Sequence, residues 1–206
     1  PLQNPKTIID QIEDPNIGWG YIDQTHSFPE AAQLIKLRKN MVKRPILATI
    51  EKLAQPIRSK QKNYIVTGYT HPPYKEKSIL LCQHNQHITS YLIVRGIEGS
   101  TELPLDKRAR IIAASDPNTP IESFIEASEL GFNSNEIIKT ETIDPQKSLE
   151  YGLRCLSGAI PLDQNPCVYN AIVLLDKFNI MAPIKSRPLL EDSIKTKKAL
   201  THWERG

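Results

Sequence analysis

His26, Arg44 and the loop Arg95-Gly96-Ile97-Glu98-Gly99-Ser100-Thr101-Glu102 carry the residue types from which a ligand site could be built. His26 falls between a run holding two glycines and a helix start, where a ring nitrogen can face a ligand. A histidine in a polar turn is, however, more often simply solvated. Arg44 stands directly before Pro45, and its guanidinium offers a two-pronged grip on a carboxylate or phosphate. The commoner arrangement is a helix-end arginine in water. Glu98 and Glu102 follow the strand-like run Tyr91–Val94, which places them at the carboxyl edge of a sheet, where open α/β folds bind ligands. Two loop carboxylates there can reach a hydrated Mg²⁺, or be solvated.

A second constellation is basic. Lys36, Lys39 and Lys43 recur at three- and four-residue spacing, and Arg44, Arg58, Lys60 and Lys62 continue the series. Such a row can bind phosphate or nucleic acid, or form a solvated helix face. A net charge of only +3 over 206 residues favours the solvated face. The sequence has no G-x-G-x-x-G, P-loop, HExxH or G-x-S-x-G motif, and its five histidines never stand at metal-ligand spacing with carboxylates. Cys82, Cys155 and Cys167 are an odd set without a C-x-x-C. They suggest neither a zinc site nor a disulfide framework, and Cys82 and Cys155 read as core thiols.

The elements that must position these residues follow from periodicity. Asn4–Glu13 reads as a helix with an Ile8, Ile9, Ile12 stripe, ended by Asp14-Pro15, and Ile17–Ile22 reads as a short extended run. Ser27-Phe28-Pro29-Glu30 has the form of a capping box and predicts a helix continuing past Lys43. Pro45 opens a second helix and Pro56 stops it. Tyr64–Thr67 and Tyr91–Val94 predict strands joined by a helix through Cys82, the rhythm of a βαβ unit with a parallel sheet. Arg110–Ala114 is a third strand candidate, while Thr119–Ile125 fits a capped helix or a strand equally. Lys147–Leu156 predicts a helix, Asn165-Pro166 opens a deeply buried one, and Ser186 with Pro188 opens a last helix reaching Trp203.

The expectation is one α/β domain over residues 1–206, with a central, largely parallel sheet flanked by helices. With 39% hydrophobic and 24% charged residues, no apolar run of membrane-spanning length and no signal peptide at its start, the composition is that of a soluble protein, with the cytoplasm as default.

Taken in order, Ile17-Gly18-Trp19, His26, the run Leu37-Arg38-Lys39-Asn40-Met41-Val42-Lys43-Arg44-Pro45 and Pro56 resemble the substrate-binding segment of the anthranilate phosphoribosyltransferase family. The stretches Gly68–Tyr74 and Arg95–Glu102 and the pair Asn170-Ala171 are similar to its later motifs. The resemblance implies the large α/β lobe of a phosphoribosyltransferase of the nucleoside phosphorylase type. It also implies transfer of a phosphoribosyl group from phosphoribosyl pyrophosphate to anthranilate in tryptophan biosynthesis, aided by Mg²⁺, by a homodimer. By position, His26, Arg38 and Arg44 would bind the acceptor. Glu102 would be the second residue of the metal-binding Asp-Glu pair, with Glu98 beside it. Thr101 stands where that pair has Asp, Glu51-Lys52 where the family has Gly-Pro, and Ala48 where it has Asn. These departures resemble a divergent branch of which some members bind nucleic acid and lack the biosynthetic activity. The family's Gly-rich pyrophosphate loop and K-H-G-N segment would lie upstream of Pro1, so the chain corresponds to the C-terminal two-thirds of such a protein and alone is expected to be inactive.

Overall fold

The computed structural model describes residues 5–34, 37, 40, 53, 55–133 and 144–206, and for Pro5, Gln24, His26 and Ala31 the backbone alone. The described helices are α1 (Pro5–Glu13), α2 (Gln24–Ser27), α3 (Pro29–Ala32), α4 (Pro72–His84), α5 (Pro145–Ser157), α6 (Pro166–Lys177), α7 (Pro183–Lys195) and α8 (Lys198–Arg205). The strands are β1 (Tyr64–Gly68), β2 (Ser90–Val94), β3 (Ala109–Ala114) and β4 (Ile121–Ile125). Two compact units result, one of Pro1–Arg58 with Thr201–Gly206 and the other of Ser59–Leu200.

In the first unit α1 buries Ile8, while Ile9 and Ile12, the rest of the anticipated stripe, stay exposed. Gly20 passes so close to α1 that a Cβ there would come within 2.7 Å of the Ile8 Cγ2. The capping box is not made. Ser27 is instead the last residue of α2, and its hydroxyl donates back to the Asp23 carbonyl at 3.1 Å. The cap is supplied earlier, where the Asp23 carboxylate accepts from the Thr25 amide at 2.7 Å. Ser27 thus closes α2 rather than opening the next helix, and His26 lies inside α2 rather than in a turn.

The second unit is built on a four-stranded sheet in the order β1-β2-β3-β4. β1 and β2 are parallel, with Tyr64 opposite Ser90 and Gly68 opposite Val94, and α4 makes the crossover between them. This is the anticipated βαβ unit. Beyond it the sheet is mixed: β3 runs antiparallel to β2, and β4 antiparallel to β3. The chain between β2 and β3 carries only a 3₁₀ turn, Ile97–Gly99, in place of the helix that usually makes a parallel crossover. The segment that local pattern left open between helix and strand is β4, fixed by its register with β3, Ala109 opposite Ile125.

β2 is buried along its whole length. On one face Leu92, Val94, Ile111 and Ile125 join Val168, Tyr169, Ile172 and Val173 of α6, together with Phe132, Phe178 and Ile194. α6 is therefore the deeply buried helix that its sequence indicates. The helix expected to run from Ser186 to Trp203 begins earlier, at Pro183, and is two helices. Its break falls at Lys197, whose φ of 58° no continuous helix contains.

Candidate functional site

The carboxyl ends of β1 and β2 carry two segments that close on each other. The Tyr69 amide donates to the Val94 carbonyl at 3.0 Å, holding the chain after β1 against the end of β2. The loop after β2 folds back through Ile97 N–H to the Glu102 carbonyl, 3.0 Å, and Ser100 N–H to the Ile97 carbonyl, 2.8 Å. A Cβ on Gly68 would overlap the carbonyl oxygens of Gly99 and Ser100, and one on Gly99 would overlap the Thr70 methyl. The glycines therefore let two backbones touch where side chains would separate them. Glu98 and Gly99 both take positive φ, 50° and 79°, which turns the loop sharply between the two glutamates.

Glu102 is fixed by its neighbours. Its amide donates to the Ser100 hydroxyl at 3.1 Å. The next residue, Leu103, donates its amide to the Asn170 side-chain oxygen at 2.8 Å, and Asn170 also donates to the Pro166 carbonyl at 2.9 Å. Asn170 thus ties this loop to the first turn of α6, a structural role for one of the residues behind the family resemblance. Although the Glu102 side chain is exposed, the protein packed around its carboxyl pushes it above the ordinary carboxylate range. Among the described residues no lysine or arginine pairs with it. Its charge also bears on Tyr151, Cys155 and Cys167, in each case favouring the protonated form. The Tyr151 hydroxyl is pushed up to about 12 chiefly by burial, with the nearby Cys155, Glu102 and Cys167 adding to the rise. Spacing gave no hint of this grouping, because α5 and the start of α6 lie far from Glu102 in the chain. An Asn-Pro before an apolar helix was the available signal.

Arg38, Arg44, Lys36, Lys39 and Lys43 lie outside the described residues, and of His26 only the backbone is described. Arg58 donates its Nε–H to the Gln55 carbonyl at 3.1 Å. Lys60 and Lys62 are exposed. Glu98 is exposed on the same loop as Glu102. No group of three or more His, Cys, Asp or Glu side chains suited to a metal ion occurs among the described residues.

A different cluster lies beside the end of β1. The Glu122 carboxylate of β4 accepts from Lys75 Nζ at 2.9 Å and pairs with Arg110 of β3 at 3.0 Å. The hydrogen bond from Lys75, more than the nearby charges, holds Glu122 below the ordinary carboxylate range. Arg108 lies over the Phe124 ring, 3.9 Å from its centroid. These pairs tie α4 to the β3–β4 end of the sheet and leave little unneutralised charge for a ligand.

No family model matches the chain. An uncharacterised protein of Aquifex aeolicus (strain VF5) is 30% identical over 160 residues, which are 77% of this chain and 49% of that protein. Among solved structures, the anthranilate phosphoribosyltransferase of Saccharomyces cerevisiae in complex with 4-fluoroanthranilate matches with a TM-score of 0.75 over 98% of this chain, at 19% identity. The chain shares the fold of the anthranilate phosphoribosyltransferases. The yeast enzyme in complex with PRPP and Mg gives 0.73 over 98% of the chain at 16% identity. The enzyme from Thermus thermophilus gives 0.73 over 96%, again at 16%. The chain spans 57%, 55% and 57% of the three solved structures and about half of the Aquifex protein. Among the described residues no helix is long and apolar enough to cross a membrane.

Proposed function

We propose that this chain is the acceptor-binding α/β lobe of an anthranilate phosphoribosyltransferase-like glycosyltransferase. The observation that carries the reading is the shared fold over 98% of the chain, with the glycine-packed Glu102 loop at the carboxyl edge of its sheet. The reaction is displacement at the ribose anomeric carbon. The acceptor amine forms the new C–N bond, the C–O bond to pyrophosphate breaks, and the amine gives up a proton.

In this reading Arg44 grips the acceptor carboxylate, with Arg38 and His26 beside it, so that the amine is held for attack. Glu102 fits one end of a divalent-cation site. It is a hard oxygen donor whose desolvated charge lacks a cationic partner among the described residues, and Glu98 is the second carboxylate on the loop. Thr101 supplies at most a hydroxyl where the family has a carboxylate, so the remaining ligands would be substrate phosphates. A bound Mg²⁺ would offset the charge of the departing pyrophosphate. The same reading makes the intact protein a homodimer acting in tryptophan biosynthesis.

Titration calorimetry with anthranilate tests this on the intact protein and on Arg44→Ala. The wild type should bind, and the variant should lose roughly ten- to a hundredfold in affinity, the worth of a charged two-pronged contact. Absence of anthranilate binding by the wild type would overturn the reading.

A further inference from the structure

We propose that the outer edge of β4 is a self-association surface, where a second copy of this chain adds its own β4, antiparallel about Ser123. The sheet then runs on across the pair. This surface is independent of the transferase reading and goes beyond it.

β4 ends the sheet. It pairs with β3 on one side, and among the described residues no strand lies on the other. The backbone of Ile121–Ile125 makes no hydrogen bond to a turn or loop among the described residues, so its outward N–H and C=O groups are unpaired there. Such a row is a template for another strand, and proteins usually blunt it with lysine, proline or a bulge. β4 reads Ile-Glu-Ser-Phe-Ile, with neither lysine nor proline. Its register with β3 runs unbroken from Ala109 opposite Ile125 to Ala113 opposite Ile121, so it has no bulge. Apolar surface is left at this edge: Ile121 is 69% exposed and Phe124 43%.

Charge selects the occupant and the register. Side chains alternate along a strand, so Glu122 and Phe124 share one face with Arg110 opposite Phe124, while Ile121, Ser123 and Ile125 share the other. A two-fold axis at the edge joins like faces when it passes beside a residue of the strand. An axis beside Glu122 sets the two Glu122 carboxylates directly opposite each other. One beside Phe124 sets Glu122 opposite Glu126, twice. Like charges directly opposite are destabilising. An axis beside Ser123 sets Ile121 opposite Ile125 and Glu122 opposite Phe124. The Phe124 ring is where the cations are, with Arg108 at 3.9 Å and Arg110 at 5.0 Å from its centroid. Arg110 is already held by its own Glu122 at 3.0 Å. Arg108 has only a 4.0 Å contact with Glu126, both side chains being exposed. It is the spare cation, and Glu122 of the second copy arrives beside it. An unrelated peptide would have to offer an acid and two apolar residues at these spacings, and β4 itself carries them. A five-residue strand is a small interface, so the association belongs to the micromolar range.

The test is sedimentation of the full chain from roughly 1 to 100 μM, as wild type, Ile121→Lys and Arg108→Glu. The mass of the wild type should rise with concentration, and each variant should weaken the association about tenfold or more, with far-ultraviolet circular dichroism unchanged. Register is read in a Cys167→Ser background, which removes the exposed thiol. There Ser123→Cys should give a disulfide between two chains on mild oxidation. Ile121→Cys should not, because the two 121 positions lie about 13 Å apart along the strands. A chain that stays monomeric over the whole range overturns the proposal. So does self-association that either variant leaves unchanged, which places the contact elsewhere, or a link through 121 without one through 123.

Discussion

Glu102, Asn165 and Tyr169 each hold a polar group at a place where packing decides its cost. Desolvation of Glu102 raises its folded-state affinity for a proton above that of the unfolded chain. Protonated below both values, the group costs the fold nothing; as pH rises through the window between them, stability is lost. Glu102→Gln should therefore raise the melting temperature slightly at neutral pH, the gain vanishing in acid, and parallel pH series of melts check it. The effect stays small because solvent reaches part of the side chain. Asn165→Ala removes the α6 cap and its clip to Cys155 together, at a cost of roughly 2–4 kcal/mol in a urea titration. Tyr169 shows the opposite sign. Its hydroxyl is buried with no partner among the described residues, so Tyr169→Phe should be neutral or stabilising by about 1 kcal/mol.

At the scale of elements, legibility followed how local the deciding interaction is. Asn165-Pro166 announces α6, because an asparagine cap and a proline in the first turn act within three residues. Ser27-Phe28-Pro29-Glu30 announces a cap that is not made, because Ser27 is the last residue of α2 and its hydroxyl donates to the Asp23 carbonyl. β4 has no decisive local pattern, and only its ladder with β3 makes it a strand. The Glu102 loop depends on close backbone approach, which a sequence shows only as glycines. Two glycines of the chain can be compared by substitution. Gly18 has φ +70° and nothing within 4 Å of a new Cβ, so Gly18→Ala should cost only the conformational penalty, about 1 kcal/mol. Gly99 shares the positive φ but abuts Thr70, so Gly99→Ala should cost roughly 2–4 kcal/mol, read from urea midpoints.

Over the whole molecule, residues remote in the chain meet in the first unit. Trp19 stacks on Trp203 with centroids 4.8 Å apart and planes within 1°, and its indole N–H donates to the His202 carbonyl at 2.9 Å. His202 in turn contacts the Ile17 carbonyl at 3.3 Å. The chain has two tryptophans, so its indole fluorescence reports this contact alone. Trp203→Ala should shift Trp19 emission to the red and destabilise that unit by about 1–3 kcal/mol, the stacking and lost burial combined. Hydrogen exchange at the amides of residues 17–20 offers the second readout.

The sequence by itself determined the α/β class, the βαβ start of the sheet, the buried α6 and the likeness to the anthranilate phosphoribosyltransferases. Each of these rests on periodicity, on caps or on ordered motifs that act over a few residues. Tertiary structure alone decided the antiparallel half of the sheet, the division into two units and the electrostatic influence of Glu102 on Tyr151, Cys155 and Cys167. The physical reason is common to all three. Strand pairing and side-chain clustering are contacts between segments that local pattern does not link, and their free energy depends on burial and desolvation that exist only once the chain has closed on itself.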